Sequence, residues 1–213
     1  MKTPFLILSS LLVAVPVVAA DSVFDQIPAN SVAVVDEPFA SSLGNEWKTN
    51  AGSWSVVDGV LVGKEIAADH HAAAARRVVR TKNAVYQMTF KLDSKTKAFH
   101  FGFDPERGSL DKRGHLFSVV TSPNAVRVIK HVDKNRPKED PNEELAKLDI
   151  DLPPAEWHRL RVVCWQNHVT VHINGSTIQS EHPTFAVPKP TLVFRVAGEA
   201  VQIDDLKVWT QRE

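Results

Sequence analysis

The chain has one cysteine, Cys164, and so cannot form a disulfide within itself. Small exported domains often depend on such cross-links; this one has to be held together by burial. Cys164 stands in an apolar alternation and reads as a core thiol, since a nucleophilic thiolate needs an electropositive, partly open setting. Excess charge of either sign is also missing. Lys and Arg total 25 and so do Asp and Glu, which leaves no global field to attract nucleic acid or an anionic membrane. After Val18 no apolar run is long enough to span a bilayer, so no membrane insertion of the mature chain is expected. The zinc spacings H-E-x-x-H and C-x-x-C do not occur. Helical periodicity is almost absent as well, and this excludes the helix-built fold classes.

What is present begins with a basic start, Met1-Lys2-Thr3, an apolar run from Phe5 to Val18, and the small residues Val18-Ala19-Ala20 before Asp21. That order is the pattern of a secretory signal peptide over residues 1–20, followed by a single domain over 21–213. With no cysteine after the apolar run to carry a lipid, a secreted or periplasmic location is expected.

From Trp54 onward the chain is short apolar runs separated by turn residues. Trp54-Ser55-Val56-Val57, Asp58-Gly59 and Val60-Leu61-Val62 spell a strand, a two-residue turn and a second strand. Tyr86, Met88, Phe90 and Leu92 alternate with polar residues, and so do Phe99, Phe101 and Phe103 with His100 and Gly102; a period of two means half-buried strands. A turn at Gln166-Asn167 pairs Cys164 with Val169, Val162 with Val171 and Leu160 with Ile173 on an apolar face. It puts Arg159, Arg161 and Trp165 with His168, Thr170 and His172 on the other. Asn174-Gly175 makes the next turn and pairs Val171 with Ile178. Further strands are expected over 116–120, 125–129, 190–196 and 201–209. The hairpin at Ser122-Pro123-Asn124 has two registers, one placing His115 beside His131 and one placing them on opposite faces. The Ala-rich segment 66–75 reads as a helical turn or loop, and 132–147 as a charged, Pro-broken loop in which Pro141-Asn142-Glu143-Glu144-Leu145 could start a short helix. About a dozen strands at this spacing imply an all-β, two-sheet antiparallel jelly-roll sandwich.

Three stretches resemble known landmarks: Phe39 to Gly63, with Gly52-Ser53-Trp54 and Asp58-Gly59; Ala155-Glu156-Trp157-His158-Arg159-Leu160 with Val171-His172-Ile173-Asn174-Gly175; and Val201-Gln202-Ile203-Asp204-Asp205-Leu206-Lys207-Val208-Trp209. In this order they are similar to the concanavalin A-like lectin/glucanase superfamily, nearest to the 3-keto-disaccharide hydrolase-like domains, also called family 16 glycoside hydrolase-like. The resemblance implies a jelly roll whose concave sheet binds or cleaves carbohydrate. It also implies a candidate structural Ca²⁺ at Asp204, with Asp36 or Glu37 as partner, and no other cofactor. The Glu-x-Asp-x-x-Glu strand of family 16 glucanases is missing, and the acids at 139–140 and 143–144 lie in the charged loop, where they read as a solvated run. Ordinary two-carboxylate hydrolysis is thereby disfavoured.

The remaining candidates are the nine histidines and their neighbours. His100, beside Gly102, and His172 are the candidate acid/base groups, because imidazole titrates near neutral pH. Arg161, Trp165, His168 and His172 form the candidate substrate-binding face, combining an apolar platform with hydrogen-bond donors suited to a sugar; an ordinary solvated sheet surface is the alternative. Arg195 should face away from the core. Three functions stay open: an enzyme acting on glycosides or 3-keto-glycosides, a non-catalytic glycan-binding module, and a cell-envelope protein with a protein partner.

Overall fold

In the computed structural model, which describes residues 20–212, Asp58 and Gly59 take φ of 51° and 77°. Two left-handed residues in a row close a two-residue hairpin without splaying its strands. Gln166 and Asn174 occupy the same region at the first position of two later turns, with φ of 53° and 48°. Such turns fold the apolar runs back on themselves, and fifteen strands result. The first five are β1 (Ser31–Glu37), β2 (Trp47–Ala51), β3 (Ser53–Val57), β4 (Val60–Lys64) and β5 (Ala73–Thr81). Next come β6 (Ala84–Leu92), β7 (Ala98–Asp104), β8 (Phe117–Ser122), β9 (Ala125–Lys130) and β10 (Glu143–Asp149). The last are β11 (His158–Trp165), β12 (His168–Ile173), β13 (Ser176–Glu181), β14 (Lys189–Ala197) and β15 (Ala200–Gln211). The signal peptide expected over residues 1–20 lies, but for Ala20, outside the described residues.

The strands form two antiparallel sheets packed face to face. One runs β13-β12-β11-β6-β15-β4-β3, with β1 added against β15; the other runs β10-β9-β8-β7-β14-β5-β2. The predicted register of β11 with β12 is the observed one, from Leu160 opposite Ile173 to Trp165 opposite His168, and Val171 meets Ile178 across the following turn. A slip of one residue would have turned Cys164, Val162 and Leu160 out to water.

The core lies where the inward faces of β6 and β7 meet. Tyr86 sits 5.6 Å from Phe101 and 4.9 Å from Phe103, and Phe90 sits 5.6 Å from Phe99. All five rings are fully buried. Tyr86 keeps its hydroxyl satisfied by a 2.6 Å hydrogen bond with Thr81 Oγ1, which lets so polar a ring stay inside. Cys164 is wholly buried, and burial pushes its thiol up to about 11, so it is the inert core group its alternation suggested. Among the described residues no helix is long and apolar enough to cross a membrane.

Two segments depart from the expectation. In the Ala-rich stretch only Ala67–Asp69 form a helical turn, ended by His70 in a left-handed conformation; Ala73 already opens the nine-residue β5. Small residues are needed there because Ala75 lies opposite Phe194 and packs into the core beneath it. The segment from Glu143 is not a short helix but β10, the edge strand beside β9. Leu145, Ala146 and Leu148 pack against the core while Glu143, Glu144, Lys147 and Asp149 stay in water.

Phe101→Ala removes a ring that touches both sheets. It should cost about 3–5 kcal/mol, read as a lower denaturant midpoint with an unchanged slope; a loss well under this would mean that the two sheets are not stacked through β7.

Candidate functional site

β7 alternates. With Phe99, Phe101 and Phe103 in the core, His100, Gly102 and Asp104 must emerge on the outer face of the seven-stranded sheet. The neighbouring strands bring residues of the same face beside them. β14 sets Arg195 opposite His100 and Thr191 opposite Asp104, β8 sets Ser118 opposite Gly102, and β5 carries Ala74 and Arg76 beyond β14. His115 precedes β8 and His131 follows β9; the His131 amide donates to the Leu116 carbonyl at 2.9 Å, which settles the open hairpin register with both histidines on one side. Their rings lie 5.5 Å apart, and His131 stacks over His100 at 6.5 Å and 20°.

These groups surround a cleft of about 740 Å³, lined among others by Arg76, His115, His131, Lys134, Arg195 and Asp69. Asp104 organises its floor. Its Oδ1 accepts from His115 Nδ1 at 2.5 Å, and its Oδ2 accepts from Arg76 Nε at 3.0 Å and from Thr191 Oγ1 at 3.3 Å. Burial opposes the charge on Asp104, but the His115 and Arg76 contacts overcome it and hold the carboxyl below its usual range. A proton fixed on His115 Nδ1 leaves Nε2 as the basic nitrogen of that ring. His131 Nε2 shares a 2.7 Å hydrogen bond with Ser118 Oγ. Gly102 makes this possible, since a Cβ there would collide with the Ser118 hydroxyl. The space beside Gly102 is filled by a neighbour's side chain.

His100 Nδ1 and Arg195 Nε are buried without a hydrogen-bond partner. Burial, followed by the charge of Arg195, lowers His100 from 6.5 to about 4; burial, followed by His115 and His100, lowers His131 to about 3. Both imidazoles are therefore neutral at physiological pH. The charged segment after β9 is solvated at Glu139, Glu143 and Glu144, as expected, but Asp133 is buried and Asp140 half-buried against the cluster. Asp133, fully buried, accepts from the amides of Arg113 and Asn135 at 3.0 and 2.9 Å, and these bonds lower its carboxyl to about 2. Asp140 pairs with Lys112 at 3.2 Å and with Lys130, while Lys112 also donates to the His131 carbonyl at 2.6 Å.

Of the predicted site residues, His100 lies in this cluster. His172 does not: with Val171 and Ile173 buried, it emerges on the outer face of the other sheet, where its Nδ1 meets Thr177 Oγ1 at 2.9 Å. Two packed sheets separate the two histidines, so they cannot share one substrate. Trp165 and His168 are on that same far face, Trp165 being 47% exposed and His168 3.8 Å from Glu181. Arg161 is closed off from any ligand, being only 4% exposed, with its Nε buried and unpaired. Its guanidinium donates to Gln87 Oε1 at 2.9 Å and to the Gln26 carbonyl at 2.8 Å, and lies 5.8 Å from the Trp209 ring centroid. The segment before β1 crosses this face and covers it, which the alternation of β11 could not foretell. Asp204 Oδ1 accepts from the Asp205 amide at 2.7 Å, and Asp36 lies opposite Lys207. Among the described residues no three of His, Cys, Asp and Glu gather as metal ligands.

Asp104, His115, His131 and Arg76 were not singled out in the sequence. Asp104 was the most accessible of them, being the next outward residue of β7 after His100 and Gly102.

No protein-family model and no curated protein sequence matches the chain. Solved structures do. SCLam, a non-specific endo-β-1,3(4)-glucanase from family GH16, aligns at a TM-score of 0.65 and 10% identity over 88% of this chain and 94% of its own. The endo-β-1,3-glucanase from Pyrococcus furiosus aligns at 0.64 and 10% over 86% and 95%. The carbohydrate-binding module CBM66 from Bacillus subtilis aligns at 0.54 and 9% over 78% and 92%. Likeness at this level of identity establishes architecture, and the architecture is a two-sheet jelly-roll sandwich.

Proposed function

We propose that this chain is an exported carbohydrate-active protein, and that its site is the histidine cleft on the outer face of the seven-stranded sheet. The observation that carries the reading is the Asp104–His115 pair, a carboxylate-oriented imidazole, beside His131 in one open cleft, with His100 stacked behind His131. A base held in one tautomer by a carboxylate is the usual arrangement for proton abstraction near neutral pH. The neighbours in fold support the substrate class, since two are named as glucanases and one as a carbohydrate-binding module.

The chemistry that suits these groups is elimination. Two free carboxyls about 5 Å apart are needed for retaining hydrolysis. Here Asp104 is committed to His115 and Arg76, and Asp69 Oδ2 is held by the Gly52 amide at 2.7 Å. On a 3-keto-glycoside the carbonyl acidifies the neighbouring C2–H bond. His115 Nε2 takes that proton, the electron pair forms the C1–C2 double bond, and the C1–O bond breaks as the proton now on His115 Nε2 passes to the departing oxygen. Water adding back across the double bond completes hydrolysis.

The processed protein should cleave at least one member of a panel of glycosides and 3-keto-glycosides. His115→Ala should lower kcat/KM by about 10²–10⁴-fold, with His172→Ala unchanged. Glycan binding without turnover would make this a binding module, and neither binding nor turnover across the panel would sink the carbohydrate reading altogether. Expression with the natural N-terminus should yield an exported protein beginning at Asp21; retention of residues 1–20 would contradict export.

Acid should weaken the fold through this cluster. Below pH 6.5 the unfolded chain takes up protons at His100 and His131 that the folded one refuses down to about 4 and 3, so stability falls across that window. Imidazole NMR should show both rings neutral down to about pH 5, and His100→Gln should flatten the acid limb of the stability curve. A midpoint near 6.5 for either ring would contradict the burial described.

A further inference from the structure

We propose that the cleft takes an acidic saccharide, one bearing a carboxylate or sulfate, and that Arg195 is the residue that reads this charge. The inference rests on the carbohydrate reading above and specifies its substrate class. It begins from a charge imbalance. The chain as a whole is neutral, yet the residues lining the cleft include Arg76, Arg195 and Lys134 against the single acid Asp69. Asp104 beneath them is already shared between Arg76 and His115. Among the described residues neither Arg195 nor Lys134 has an acidic partner within ion-pair distance, and Arg195 Nε is buried with nothing to donate to.

An arginine placed this way costs stability unless something else satisfies it. Its guanidinium is set opposite His100 on the adjacent strand, and its charge depresses both His100 and His131. An anion arriving at this point would meet the terminal N–H groups of a half-buried guanidinium, donors of the kind that carboxylates and related oxyanions accept.

The rest of the lining points the same way. No Trp, Tyr or Phe lines the cleft, so the apolar platform on which the C–H face of a neutral sugar usually rests is not provided. The oxygens of its two amides are occupied, Asn50 Oδ1 by Arg76 at 2.6 Å and Asn142 Oδ1 by the Val132 amide at 2.8 Å, so these side chains have only their Nδ2 donors to offer. Charge, rather than stacking, is what this surface offers a ligand.

Calorimetric titration of the processed protein would test this with four oligosaccharides of matched length: a polyuronate, its carboxyl-reduced neutral counterpart, a sulfated glycan and a neutral β-glucan. At least one acidic oligosaccharide should bind ten-fold or more tightly than the neutral pair, and the gap should narrow as salt rises. The stronger of the two acidic ligands identifies carboxylate or sulfate as the group recognised. Arg195→Gln should abolish the preference while leaving weak neutral binding in place, and Arg195→Lys should restore part of it; thermal unfolding of each variant reports whether the fold survived. Equal or tighter binding of the neutral sugars would overturn the acidic inference and leave the carbohydrate reading standing. Binding of none of the four would overturn both.

Discussion

The Asp104 carboxylate holds together three parts of the chain that the fold would otherwise leave independent. It ends β7, accepts from His115 on the way into β8, and accepts from Arg76 on β5 and Thr191 on β14. A carboxylate this far from bulk water stays charged only because those donors surround it, and they are fixed only because it is charged. Remove the charge and His115 loses the group that fixes its tautomer, and Arg76 is left with Asn50 alone.

The same strand supports the core. β7 sends Phe99, Phe101 and Phe103 inward and His100, Gly102 and Asp104 outward, so the most buried rings of the sandwich set the height and spacing of the polar cluster. Sites built on strands locked by packing are held more precisely than those on loops. Here only His115 and His131 come from strand ends, and each is tied down, His115 by Asp104 and His131 by Ser118 and its own amide.

Much of this architecture was legible in the residues. The β11–β12 register followed from sorting Leu160, Val162 and Cys164 against Val169, Val171 and Ile173, because a buried face tolerates no slip. The site was less legible, for a definite reason: alternation says which residues share a face but not what covers that face. Arg161 and His172 share a face and so do His100 and Asp104, and the sequence treats the two pairs alike. Only the folded chain reveals that the segment before β1 lies across the first while the second borders an open cleft. The acids at 139, 143 and 144 stay in water, as a run of charges among prolines suggests; Asp133, earlier in the same segment, finds two backbone amides and Arg136 and is drawn inside.

β10 was equally hard to see, since Glu143-Glu144-Leu145-Ala146-Lys147-Leu148-Asp149 looks more like a helix start than a strand. It closes one margin of the seven-stranded sheet, where unpaired amides and carbonyls would invite a neighbouring molecule to add itself as the next strand. A second copy approaching there would have to bring its chain against ionised side chains at Glu143, Glu144, Lys147 and Asp149, all left in water. The charges that disguise this strand thus act as a guard against edge-to-edge pairing, and replacing them with apolar residues would leave that edge open to a neighbouring strand.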